Sequence, residues 1–82
     1  MDKWTIRVLE SAEAYVEAIE AGQVDKASAK ASRKEILAAG KMLWQIHLSF
    51  VHDHGPDYPS KKMKSFMRSL RGRIKKAAKI LK

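Results

Sequence analysis

Apolar residues recur along this chain at intervals of three and four, in three stretches parted by two short interruptions. In the first stretch Leu9, Ala12, Val16 and Ile19 fall on one side of a helix over about residues 3–21. Gly22 follows as a stop signal, because a helix end often needs a backbone conformation that glycine adopts without a Cβ clash. The opening "WTIRVL" also alternates as a strand would, but no later segment offers it a partner. Ser11 is an alternative start for a shorter first helix.

The second stretch begins after Asp25, a residue type that caps helix N-termini, and runs to about residue 53. With about 100° between successive residues, Ala29, Ile36, Ala39, Leu43, Ile46 and Phe50 share one face. Leu37, Trp44, Leu48 and Val51 form a second apolar row beside it, which predicts a helix sandwiched between two neighbours. The segment "HDHGPDYPS" then breaks the pattern with one glycine and two prolines and reads as a turn.

Ser60 is placed to cap a third helix over about residues 61–82. In it Met63, Phe66, Met67, Leu70, Ile74, Ala77, Ala78 and Leu81 fall within an arc of about 120°. The prediction is an all-α fold: a compact three-helix bundle with a long central helix and a basic amphipathic C-terminal helix, forming one domain over residues 1–82. With only 82 residues the core must be small. Tyr15, Trp44, Phe50 and Phe66 follow the apolar rhythm and are assigned to that core, whereas Tyr58 belongs to the turn.

Charge changes this picture from a plain bundle to one with a polarised surface. The net charge is +8, and all of the excess lies at the end: residues 61–82 hold ten Lys or Arg and no acid. The preceding sixty residues hold seven basic and nine acidic side chains. Such an asymmetry points to a polyanionic partner, most often nucleic acid.

On the third helix Lys61, Lys64, Arg68, Arg71, Lys75, Lys79 and Lys82 form one solvent-facing band, flanked by Lys62, Arg73 and Lys76. Ser65, Ser69 and Gly72 run down its middle as a low strip along which a phosphate would approach the backbone closely. Lys26, Lys30, Arg33, Lys34 and Lys41 form a second stripe early in the second helix. The competing reading of that stripe is a solvated face paired with Glu10, Glu13, Glu17 and Glu20 of the first helix. Arg71 and Arg73 would reach guanine edges if the third helix entered a major groove, although nothing in the spacing requires it.

The stretch "EAIEAGQVDKASAKASRKEILAAGKMLWQIHLSF" resembles the helical module of bacterial histone H1-like proteins. Gly22, Lys26, Ala27, Arg33, Lys34, Lys41, Leu43 and Ile46 carry the likeness. The resemblance implies sequence-independent, nucleoid-type DNA binding with a basic tail beyond a helical hairpin. Here a patterned amphipathic helix stands where that tail would be.

The remaining chemistry is sparse. Without cysteine there are no disulfides, no thiol nucleophile and no cysteine-ligated zinc. His47, His52 and His54 are the only imidazoles, and "HDH" with Asp57 is a weak metal pattern inside one turn, so neither a metal nor another cofactor is expected. No phosphate loop or nucleophile elbow is present, and the chain is read as non-enzymatic. No run of 18 apolar residues occurs, and a cytoplasmic protein is expected.

The leading functional expectation is therefore a sequence-nonspecific DNA-binding protein of nucleoid-associated or phage-accessory type, with RNA as a possible substitute. The alternative is a small inhibitor or adaptor that docks its basic helix on an acidic protein surface. Membrane binding is a third reading and needs the Met63, Phe66, Leu70 and Ile74 face to be free. A homodimer is also open, because Leu37, Trp44 and Val51 repeat every seven residues.

Overall fold

A computed structural model describes residues 3–55 and 57–81. Three helices follow one another, α1 (Lys3–Glu20), α2 (Ala29–His54) and α3 (Lys61–Ile80), and each packs against the other two. The expected three-helix bundle, with the second helix the longest, is what forms; there is no strand among the described residues. "WTIRVL" lies inside α1, and the shorter helix from Ser11 does not occur.

Each boundary has a local cause. Gly22 adopts φ +73°, its N–H bonds to the Ile19 carbonyl, and the Gln23 N–H reaches back to Ala18. This pair of bonds is the Schellman closure, which satisfies two of the carbonyls that a helix end leaves without partners. At α3 the Ser60 hydroxyl accepts from the Met63 N–H at 3.3 Å, as expected of a cap.

Asp25 departs from expectation. Its carboxylate accepts from the Ser28 N–H at 2.8 Å, but residues 26–28 form only a turn and α2 begins at Ala29. Asp25 thus caps the lead-in turn, and the helix proper starts three residues later than its capping chemistry suggested.

The core gathers Leu9, Ala12, Val16 and Ile19 from α1, Ile36, Leu43 and Ile46 from α2, and Met67, Leu70, Ile74, Ala77 and Ala78 from α3. Every one had been placed on an inward face by its spacing. Fully burying a Leu or Ile contributes roughly 1.5–3 kcal/mol, so α3 supplies a large part of the stabilisation. The α2–α3 approach is close: a Cβ built on Gly40 would lie 3.2 Å from Ile74 Cγ2. A glycine there lets the helices meet without displacing the Ile74 side chain.

Helix α2 does lie between two neighbours, α1 and α3, but they leave its second apolar row uncovered. Leu37, Trp44, Leu48 and Val51 remain between 37% and 49% exposed. Helix α3 packs along Ile36, Gly40 and Leu43, and the second apolar row lies farther round the helix than α3 reaches. Trp44 is therefore a surface residue, not the core residue its rhythm suggested. Tyr15, Phe50 and Phe66 do pack against the core, and Tyr58 is half-buried with its ring edge-on to Phe50 at 5.2 Å.

Candidate nucleic-acid interface

A three-helix bundle has three seams, and here each carries a different chemistry. At the α1–α3 seam the Arg73 guanidinium grips Glu20 in a fork, with Nη2 to Oε1 at 2.6 Å and Nε to Oε2 at 3.3 Å. Glu13 stands behind it at 3.9 Å. The hydrogen bonds from Arg73 are the main reason the Glu20 carboxyl is held below its usual range, with the Lys76 charge adding to the effect. Arg73 in turn is held more firmly protonated, first by Glu20 and then by the charges of Glu17 and Glu13.

The acidic side of α1 therefore neutralises the flank of α3 rather than the stripe on α2. Glu10 and Lys62 also line one hollow at this seam, over Leu9 and Phe66. The structure thus separates the two arginines that the sequence had paired for base reading. Arg73 turns to α1, while Arg71 turns to α2, where its guanidinium carbon lies 4.4 Å from the centroid of the Trp44 ring.

The α2–α3 seam is different in kind. Helix α3 has no acid, and the two acids of α2 lie on its other side. Glu35 accepts the Tyr15 hydroxyl of α1 at 3.0 Å, and Asp53 borders a hollow with Trp4 and Thr5 of α1. What remains between α2 and α3 is a cationic face. Lys41, Arg71 and Lys75 border one groove together with Leu37, Trp44 and Gln45. Lys30, Lys34, Lys61, Arg68 and Lys79 are exposed around it, and Lys64 is half-buried at its edge.

Lys26 and Arg33 lie at the far end of this face, where they border a second hollow with Lys30, Leu81 and one carboxylate, Asp25. The Arg33 Nε is buried there without a hydrogen-bond partner among the described residues. Lys76 is exposed on the α1 flank of α3, and Lys82 lies outside the described residues.

The cation–π contact has a mechanical consequence. A guanidinium over an indole is worth about 0.5–1 kcal/mol at an exposed site. His47 stacks on the same indole, with ring centroids 5.4 Å apart. Trp44 therefore holds Arg71 in place at the middle of the cationic face. Periodicity alone missed this contact. The clue available in the sequence was the width of the combined apolar rows on α2, more than one neighbouring helix covers.

Other candidate chemistry resolves into local contacts. His52 Nδ1 and Asp53 Oδ1 are 3.0 Å apart, and this contact is the main cause of the lowered Asp53 pKa. The His54 ring lies 4.1 Å from that of Tyr58. Among the described residues no three His, Asp or Glu side chains converge as metal ligands. The apolar face of α3 that a membrane would need is packed in the core, and no described helix is long and apolar enough to cross a membrane.

Comparison with known protein families, curated proteins and solved structures finds no match to this chain.

Proposed function

We propose that this protein binds duplex DNA without sequence specificity, through phosphate contacts made by the α2–α3 face, in the manner of a nucleoid-associated or phage-accessory protein. The observation that carries the reading is the segregation of charge. The two helices present Lys34, Lys41, Arg68, Arg71, Lys75 and Lys79 around a groove that no carboxylate lines, while the helical acids occupy α1 and the α1 side of α2; Lys30 lies at the end of this face, where Asp25 borders the adjoining hollow. The molecule is 42 Å long, and a duplex offers about one charge per 1.7 Å of axis. A face of that length lies opposite many phosphates. Arg73, held by Glu20, is left out of the contact set, and Arg71 enters it as a positioned guanidinium.

The test is fluorescence anisotropy of a labelled duplex of about 25 base pairs at several salt concentrations. The expected log–log salt slope is roughly −5 to −8, becoming shallower by two to three in Arg68→Gln/Lys75→Gln/Lys79→Gln, since each phosphate contact contributes about 0.9. Absence of binding at low salt would overturn the reading.

One observation favours a second reading. The exposed row of Leu37, Trp44, Leu48 and Val51 beside these cations suits an acidic amphipathic helix of a partner protein, which would cover apolar and basic residues together. Leu37→Ser/Leu48→Ser separates the two: it leaves duplex binding unchanged under the first reading and abolishes acidic-peptide binding under the second.

A further inference from the structure

The third seam, between α1 and α2, carries neither the acid–base pairs of the first nor the cations of the second. Its groove is bordered by Trp4, Val8, Ser11, Tyr15, Ala38 and Met42, with one charge of each sign, Arg7 and Glu35. Trp4 is 59% exposed and Met42 40%. In a chain with 32% charged residues, a groove with two charges and an exposed tryptophan is unusual for a surface that meets only water; the adjoining hollow past Trp4 adds Asp53 and His54.

We infer that this face is the seam of a two-fold homodimer, with a second copy of the chain as its occupant. The argument rests on self-complementarity, which an isologous contact requires. The two helices run antiparallel: the Tyr15–Glu35 hydrogen bond sets one level of the groove, and the shared hollow of Trp4, Met42 and Ser49 sets the other. Arg7 is thus near one end and Glu35 near the other. A two-fold axis through the middle, at Ser11 and Ala38, brings each end against the opposite end of the partner copy.

That operation places Arg7 of each copy beside Glu35 of the other. It also lays the exposed Trp4 and Met42 of one copy against the Tyr15 and Glu35 end of the other copy's groove.

The Leu37, Trp44 and Val51 row, the dimer seam suggested by its seven-residue repeat, is the poorer choice. A two-fold axis there sets Lys41, Arg71 and Lys75 of both copies against one another with no acid between them. A dimer across α1–α2 keeps both α3 helices on its outside. On the DNA-binding reading proposed above, such a dimer bridges two duplexes; dimerisation itself does not depend on that reading.

Sedimentation equilibrium of the full chain, without nucleic acid, tests the inference. A monomer–dimer equilibrium is expected, with Arg7→Glu and Glu35→Lys each weakening it about tenfold or more, because every swapped contact occurs twice. The double variant Arg7→Glu/Glu35→Lys restores it. Trp4→Ser, at an exposed position, weakens it to a similar degree while the helical circular dichroism is kept. Monomer at every concentration up to about 1 mM overturns the inference, as does a dimer indifferent to both single swaps. Duplex binding by the monomer is a separate measurement, so the two proposals fail independently.

Discussion

At the scale of single residues, the arginines of α3 have different tasks although their sequence context is alike. Arg73 closes the α1–α3 seam on Glu20, and Arg71 rests on Trp44. The Glu20 pairing has a pH signature whose sign follows from linkage. Its carboxyl is held below the usual range in the fold, so as pH falls the unfolded chain takes up the proton first. The pairing therefore stabilises the fold above the ordinary carboxylate range, and that stabilisation is lost as pH falls through the lowered pKa.

Thermal midpoints followed from about pH 6 down to pH 3 should fall further in the wild type than in Glu20→Gln. Asp53, lowered by His52, acts in the same direction and is common to both proteins. Equal pH dependence in the two would mean that Arg73 and Glu20 do not pair in solution.

At the scale of elements, the helix boundaries respond to glycines that look alike in the sequence. Gly22 needs φ +73° to close α1, and nothing lies within 4 Å of where its Cβ would be, so Gly22→Ala isolates the backbone cost. That cost is about 1 kcal/mol of lost stability. Gly72 is inside α3, exposed and equally uncrowded, so Gly72→Ala is expected to stabilise by about 0.5–1 kcal/mol. Urea unfolding of both variants checks the pair; a shift of the same sign in both would contradict these assignments. The Gly72 variant also probes the low strip of Ser65, Ser69 and Gly72, since a phosphate needing close backbone approach would bind it less well.

At the scale of the whole molecule, the bundle distributes its chemistry by seam: acid–base pairing between α1 and α3, a groove lined by cations and no acid between α2 and α3, and an apolar groove with one charge of each sign between α1 and α2. Stability is shared in the same way. Helix α3 contributes Met67, Leu70, Ile74, Ala77 and Ala78 to a core that α1 and α2 complete. A chain ended at Ser60 would expose the inward faces of both remaining helices. It is expected to lose most of its far-UV helical signal and its cooperative melt. A folded two-helix fragment would show that α3 is an appendage, and the seam assignments would need revision.

The one-dimensional pattern was enough to determine three helices, their core faces and two of their caps, because intervals of three and four, a φ-permissive glycine and a capping serine act through neighbours in the chain. It also located the cations, since a lysine at an outward position of an amphipathic helix has few alternatives. What it did not determine was which cations are spoken for. That Arg73 meets Glu20, 53 residues away, while Lys75 two positions on meets no acid among the described residues, depends on which flank of α3 each helix packs against. The same holds for Leu37, Trp44, Leu48 and Val51: their spacing marks them as apolar, but their exposure follows from the close approach of α2 and α3 at Gly40 and Ile74. Periodicity is a property of one helix, whereas pairing and exposure belong to the contacts between helices, and those exist only once the bundle has closed.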